Sequence, residues 1–231
     1  MRNRFHIVLG AIIVAFIAIA VYLVMQQPET KHSLSYLALG DSYTIGYKVR
    51  YADNYPNQVA GFLRGKHFDI GDPSIIAYPG WTTNDLAKAI SEKNSTDTFS
   101  FVTLLIGNND IFDGYSTVVY SANFEQLIKR AIKFAAGHPD RVFVLSIPDI
   151  SLTRYAADRD KGQIAKSIIA YNAANKEITL AHKCHYIDIS GSLAAYNNDS
   201  AYYISDWAHP SAKGYAIWVG PAAAVIANAL K

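Results

Sequence analysis

Short apolar segments alternate with amphipathic segments over most of the chain, and this alternation predicts the secondary structure. Runs rich in Val, Ile, Leu and aromatic residues predict five buried strands, at residues 34–39, 74–78, 101–106, 142–147 and 185–189. Helical spacing of the apolar positions predicts five helices, at residues 55–66, 83–91, 124–136, 163–181 and 212–230. Because a helix separates each strand from the next, the pattern predicts a parallel five-stranded sheet with helices on both faces, a three-layer α/β/α fold.

Residues at the predicted helix ends agree with this assignment. Thr82 or Thr83 is placed to cap the second helix, and Ser211 is placed to cap the last. Gly220 and Pro221 interrupt the last helical pattern, so we expect that helix to kink or split there.

The longest uncharged segment lies near the N-terminus. Residues 7–25 contain no charged side chain, and as a helix they would span roughly 28 Å, close to the thickness of a bilayer's hydrocarbon core. They predict one N-terminal transmembrane helix. The Ala-Ile-Ala sequence at residues 18–20 leaves a cleaved signal peptide as the second interpretation, although the apolar segment continues to Met25.

The charges around this segment predict its orientation. Arg2 and Arg4 precede it, and the next basic residue is Lys31, so the positive-inside rule places the N-terminus in the cytoplasm and the rest of the chain outside. We therefore expect a domain in a bacterial cell envelope, anchored to the membrane on the extracytoplasmic side, or secreted if the segment is cleaved.

Composition limits the remaining possibilities. Residues 26–33 are polar and indicate a linker, which divides the chain into a membrane segment with its linker (1–33) and one domain (34–231). The single cysteine, Cys184, cannot form an internal disulfide. A hydrophobic fraction of 51% and a net charge of +2 exclude a disordered chain and a basic nucleic-acid-binding face. The histidines lack the spacing of a metal site, so we expect no metal.

Four polar blocks follow predicted strands or lie near the C-terminus. In open parallel sheets ligands bind at the carboxyl ends of the strands, so these blocks are the candidates for chemistry. They are Gly40-Asp41-Ser42-Tyr43, Gly80, Gly107-Asn108-Asn109-Asp110 and Asp206-Trp207-Ala208-His209-Pro210.

Two of the blocks contain the residues that an activated serine nucleophile requires. A serine hydroxyl needs a base to accept its proton during attack on a carbonyl, and His209 has the side chain best suited to take and return a proton near neutral pH. Asp206, three residues earlier, is close enough to orient the imidazole of His209. Ser42, Asp206 and His209 are therefore the predicted catalytic residues. Asp41 and Asp110 are expected to be hydrogen-bonding residues of their loops.

Taken together, the four blocks resemble the SGNH (GDSL-type) hydrolase family, most closely its small bacterial members similar to lysophospholipases, thioesterases and arylesterases. The resemblance covers residues 34–231 and implies a flavodoxin-like sheet order. It also implies an oxyanion hole made by the backbone N–H groups of Ser42 and Gly80 and the side-chain amide of Asn109, with Asn108 as the alternative. Tyr43 stands where the family name has Leu, a position outside the chemistry.

Aromatic and aliphatic residues adjoin the blocks and are candidates for substrate binding, although packing beneath the loops is the competing interpretation. The candidates are Trp81, Ile111, Phe112 and Trp207, with Tyr47 and Tyr155 as weaker ones.

The sequence thus predicts an esterase or thioesterase that works through an acyl-enzyme on Ser42 without a cofactor. Its expected substrate is a small-molecule, lipid or glycan ester. Two alternatives remain open: an O-deacetylase of an envelope polysaccharide, and a binding protein that keeps the fold without turnover.

Overall fold

Five parallel strands form the central sheet in the order β2-β1-β3-β4-β5. They are β1 (Tyr36–Gly40), β2 (Ser74–Ala77), β3 (Phe101–Leu105), β4 (Val142–Leu145) and β5 (His185–Ile187). The computed structural model describes residues 16–17 and 32–231. The predicted membrane segment therefore lies outside the described residues except for Phe16 and Ile17. Within the described part of the chain, no helix is both long enough and apolar enough to cross a bilayer.

Seven helices are described in residues 32–231. They are α1 (Ser42–Ile45), α2 (Tyr55–Gly65), α3 (Thr83–Lys93), α4 (Asn108–Phe112), α5 (Thr117–Phe134), α6 (Lys161–Ala181) and α7 (Ala212–Ala229), and five 3-10 helices lie at Tyr51–Asp53, Pro139–Arg141, Ile150–Leu152, Arg154–Ala156 and Ala194–Tyr196. The predicted parallel β-α order is confirmed.

The core has one half on each face of the sheet. Along β1, Tyr36 and Ala38 pack towards α2 and α7, whereas Leu37 and Leu39 pack towards α3, α5 and α6. This alternation follows from the pleat, which points successive side chains to opposite faces. Thr103 of β3 is the polar exception, and its hydroxyl pairs with two buried tyrosine hydroxyls, at 2.8 and 3.1 Å. The sheet is thus covered on both sides, and its carboxyl edge is left to the loops.

Helix α7 does not split at Pro221, although a split was one of the two outcomes expected from the sequence. It is continuous from Ala212 to Ala229 with Pro221 inside it. Trp218 and Ile226, before and after the proline, are both buried against the sheet. Gly220 and Pro221 lie on the exposed side, where water can satisfy the carbonyl that loses its helical partner. The burial of α7 against the sheet therefore outweighs the free-energy cost of a proline inside the helix.

Helix α5 begins at Thr117, seven residues before the predicted start. Ser116 caps it by accepting a hydrogen bond from the N–H of Val119, and Tyr120 is fully buried in its second turn. Val118 is 80% exposed. The apolar residues of this first turn therefore do not follow the helical period, and the sequence pattern did not indicate that the helix begins at Thr117.

Candidate active site

Ser42 is positioned by a sharp turn between β1 and α1. Asp41 is the N-cap of α1, and its carboxylate accepts a hydrogen bond from the N–H of Tyr43 at 2.9 Å. Gly40 permits the close approach of the chain, because a Cβ there would lie 2.3 Å from the carbonyl oxygen of Leu105. Ser42, as the first helical residue, consequently stands at the carboxyl edge of the sheet.

His209 reaches Ser42 from the loop before α7. Its Nε2 lies 2.8 Å from the hydroxyl oxygen of Ser42, and its Nδ1 lies 2.8 Å from Oδ2 of Asp206. The second carboxylate oxygen of Asp206 accepts the N–H groups of Ala208 (2.9 Å) and His209 (3.0 Å). Trp207 has a φ of +58°, which turns the chain tightly between them. The three predicted catalytic residues are thereby brought together in one hydrogen-bonded chain.

Two tyrosines hold the imidazole ring in place. The buried ring of Tyr43 lies 4.8 Å from that of His209, and its hydroxyl donates to the carbonyl of Ala208 at 3.2 Å. The ring of Tyr47 lies 5.1 Å from that of His209. Tyr43, which stands where the family name has Leu, thus packs directly against His209, the predicted base.

The local environment keeps the Asp206 carboxylate charged. Partial burial raises the pKa of Asp206, but the hydrogen bonds from two backbone N–H groups and from the His209 ring outweigh burial, and the pKa is lowered overall. A charged Asp206 favours the tautomer of His209 that has its proton on Nδ1. Nε2 is then free to accept a proton from Ser42.

Asp41 and Asp110 have a different environment. Burial raises the pKa of Asp41 to about 7, against the lowering effect of the Tyr43 N–H. Burial likewise raises the pKa of Asp110, which accepts hydrogen bonds from the N–H and hydroxyl of Thr83. Asp110 therefore ties the loop after β3 to the start of α3. Both aspartates make hydrogen bonds within or between loops, as expected from the sequence.

The predicted oxyanion donors face the same cleft as Ser42. Gly80 has a φ of +87° and open space where a Cβ would stand, so a substrate can approach its backbone. Asn109 uses its side-chain amide to donate to the carbonyl of Trp81 at 2.9 Å, which leaves its second amide hydrogen for another acceptor. Asn108 also lines the cleft, and its side-chain oxygen is buried without a partner in the described residues.

The cleft has a volume of about 340 Å³. Of the substrate-binding candidates, Phe112, Tyr47 and Tyr155 line it. Trp81, Ile111 and Trp207 do not: their side chains pack against the buried core. Ile111 and Phe112 diverge because neighbouring helical residues point about 100° apart.

Three further residues of the cleft were not predicted from the sequence. Pro79, Ile150 and Ala208 complete the lining. Pro79 and Ala208 are next to predicted residues and could have been found by their position. Ile150 follows β4 in a segment without a polar block, so no sequence signal marked it.

The described residues contain no group of three or more His, Cys, Asp or Glu side chains placed to hold a metal ion. Cys184 is a buried free thiol near the start of β5, and burial raises its pKa to about 12. It packs in the half of the core that faces α3, α5 and α6 and does not line the cleft.

Solved structures share this fold. A lipolytic protein of the G-D-S-L family from Veillonella parvula is 18% identical, with a TM-score of 0.65, over 84% of this chain and 99% of that chain. A lipase/acylhydrolase from Enterococcus faecalis is 19% identical, with a TM-score of 0.65, over 86% and 97%. An acetyl xylan esterase variant from Geobacillus stearothermophilus is 18% identical, with a TM-score of 0.64, over 84% and 95%.

Sequence comparison identifies the family to which the chain belongs. No curated protein sequence matches the chain. The family model described as the GDSL-like lipase/acylhydrolase family matches residues 38–217, which contain Ser42, Gly80, Asn109, Asp206 and His209. The chain therefore belongs to the GDSL-like lipase/acylhydrolase family and is an esterase of the SGNH type.

Proposed function

We propose that the protein hydrolyses a carboxylic ester or thioester through an acyl-enzyme on Ser42. The observation that carries this proposal is the pair of 2.8 Å contacts that link Ser42 to His209 and His209 to Asp206. Hydrogen bonds of this length are suited to proton transfer from a hydroxyl to an imidazole.

In the first step, the Ser42 oxygen attacks the carbonyl carbon of the substrate while its proton moves to Nε2 of His209. The carbonyl π electrons become a lone pair on the oxygen, which now carries a negative charge. The N–H groups of Ser42 and Gly80 and the side-chain amide of Asn109 would receive this oxyanion. One such donor typically lowers the barrier by about 3–4 kcal/mol.

In the second step, the tetrahedral intermediate collapses, and the bond to the leaving oxygen or sulfur breaks. His209 donates its Nε2 proton to that atom, so an alcohol or thiol departs and the acyl group remains on Ser42. Water then attacks the acyl carbon as His209 takes its proton. Collapse releases the carboxylic acid and returns the proton to the Ser42 oxygen. Asp206 stabilises the imidazolium in both halves of the reaction.

The cleft favours substrates with a modest apolar part. Its volume of about 340 Å³ lies near the lower end of the range for small-molecule sites, about 300–1,000 Å³. Phe112, Ile150 and Tyr155 offer apolar contacts. We therefore expect short and medium acyl chains to be turned over faster than long ones.

The second candidate activity is removal of acetyl groups from an envelope polysaccharide. The similarity to an acetyl xylan esterase structure favours this alternative, and the open cleft could admit a glycan as the alcohol part. Turnover of acetyl esters alone, with a marked gain when the alcohol is a sugar, would support it.

An ester series tests the proposed function. Hydrolysis of 4-nitrophenyl esters from acetyl to palmitoyl is measured for the purified protein and for Ser42→Ala. Ser95→Ala, which changes a half-buried serine on the loop after α3, is the matched control. We expect turnover with a short-chain optimum, its loss in Ser42→Ala and its retention in the control. Full activity of Ser42→Ala would refute the acyl-enzyme mechanism.

The cellular location is a separate part of the proposal. The uncharged residues 7–25 behind Arg2 and Arg4 support a catalytic domain held at the outer side of a bacterial membrane. Fractionation followed by protease treatment of spheroplasts tests this. Membrane-bound protein that is digested from outside is expected, whereas recovery in the cytoplasmic fraction would contradict it.

A further inference from the structure

Three basic side chains stand over aromatic rings in or beside the cleft. Nζ of Lys48 lies 5.0 Å from the ring centre of Tyr47, and the guanidinium carbon of Arg159 lies 3.9 Å from that of Tyr155. Both tyrosines line the cleft. The third is Arg154, whose guanidinium lies 4.3 Å from the ring centre of Trp207, in the loop that carries Asp206 and His209. We call Lys48, Arg154 and Arg159 the cationic rim.

The cationic rim is not neutralised by nearby carboxylates. All three residues are exposed, and none forms an ion pair with a carboxylate of residues 32–231, where other arginines and lysines do so. Asp158 and Asp160 flank Arg159 in the sequence. Asp160 is engaged with the N–H of Gln163 as the cap of α6, and neither carboxylate forms an ion pair with the guanidinium of Arg159.

This concentration of positive charge is local. Residues 32–231 contain equal numbers of acidic and basic side chains, so a surplus at the cleft is not a consequence of a basic domain. Aromatic rings hold the cations by cation–π contacts, which limits their motion and keeps two of the charges at tyrosines that line the cleft. Asp206 also lines the cleft, but its carboxylate is engaged with His209. Exposed cations at the edge of the cleft raise the local concentration of substrates of the opposite sign.

We propose that the cationic rim makes the enzyme selective for esters that carry a negative charge outside the ester bond, on either the acyl or the alcohol side. This inference rests on the proposed function and specifies its substrate class. A carboxylate, sulfonate or phosphate would pair with these cations. Arg159 already donates from Nη1 to the carbonyl oxygen of Tyr155 at 2.6 Å, and its other N–H groups would bind the anion. Replacing Arg154 would also remove its contact with Trp207, in the loop that carries Asp206 and His209. The test therefore replaces the other two cations.

The test compares matched esters on the double variant Lys48→Gln/Arg159→Gln. The acyl-side pair is the mono-4-nitrophenyl ester of glutaric acid and 4-nitrophenyl pentanoate, which have the same chain length. The alcohol-side pair is 4-acetoxybenzenesulfonate and 4-acetoxybenzenesulfonamide. The measured quantity is kcat/KM of the anionic ester divided by that of its neutral partner. Arg141→Gln, which removes a cation from a 3-10 helix before β4, is the matched control.

We expect the ratio to fall by about two- to fivefold for each cation removed, in one pair or in both. A fall in the glutarate pair places the recognised charge on the acyl side, and a fall in the sulfonate pair places it on the alcohol side. The ratio of the unaltered enzyme should also decrease as salt is added, because exposed charges are screened. Arg141→Gln should leave both ratios unchanged.

Two results would count against the inference, in distinguishable ways. Ratios that are unchanged in both pairs, or that fall equally in Arg141→Gln, while neutral esters are still hydrolysed, would overturn the charge selectivity and leave the proposed function standing. Failure of the unaltered enzyme to hydrolyse any of the four esters would overturn the proposed function and the inference with it.

Discussion

Replacing Asp41 by Asn should change how stability depends on pH. Asp41 is buried beside the nucleophile, and its pKa is raised from the ordinary 3.8 to about 7, chiefly by burial. Below about pH 4, Asp41 is protonated in both the folded and the unfolded chain. Between pH 4 and 7 the unfolded chain releases this proton while the folded protein retains it. Raising the pH through that window therefore stabilises the unfolded state relative to the folded state.

The size of the effect follows from the two pKa values. Their difference corresponds to up to about 4 kcal/mol of free energy of unfolding, lost by the unaltered protein between pH 4 and 7. Asn at position 41 carries no titrating proton, and its side-chain oxygen can still accept the N–H of Tyr43. The advantage of Asp41→Asn over the unaltered protein should therefore increase with pH through the window and level off above pH 7.

Urea unfolding at a series of pH values measures this difference. The buried Trp218 provides a fluorescence signal, and the free energies of the two proteins are subtracted at each pH. A difference that stays constant from pH 4 to 8, or that decreases with rising pH, would refute the view that Asp41 is a buried carboxyl destabilised by ionisation.

Three other substitutions have expected outcomes. Asp206→Asn would present an amide N–H₂ group to Nδ1 of His209 and favour the wrong tautomer, so kcat should fall by about 10³–10⁴-fold with an unchanged circular dichroism spectrum; an unchanged kcat would contradict the orienting role. Asn109→Ala should lower kcat by about 10²–10³-fold with little effect on KM. Steady-state kinetics on an acetyl ester measure this change, and an unchanged kcat would contradict the role of the Asn109 amide as an oxyanion donor. Gly107→Ala places a Cβ 2.6 Å from Cε2 of Tyr120 at a φ of +129°, so the free energy of unfolding measured in urea should fall by about 2–3 kcal/mol or more; equal stability would contradict the close packing of this turn.

The strand and helix pattern was predictable because the sheet is buried on both faces. A strand such as Val142–Leu145 is apolar at every position, and its length and flanking residues mark it in the sequence. Thr82, with its capping box to Asp85, and Ser211 were predictable as helix starts because capping is a local interaction.

Other features depend on contacts that sequence patterns do not contain. The continuity of α7 through Pro221 is a consequence of packing against the sheet. The position of Phe112 in the cleft, and of Trp81 against the core, is set by the directions of neighbouring side chains in short segments. The residue types and spacing of Ser42 and His209 indicated their chemistry. Their 2.8 Å contact results from the fold, which joins opposite ends of the domain.

A covalent inhibitor can identify the nucleophile directly. The protein is incubated with a fluorophosphonate, and the modified residue is identified by mass spectrometry of the intact chain and of its peptides. We predict one phosphonyl group per chain, bound to the Ser42 oxygen, and no modification of Ser42→Ala. Stoichiometric labelling of another residue, or undiminished labelling of Ser42→Ala, would show that Ser42 is not the nucleophile activated by His209.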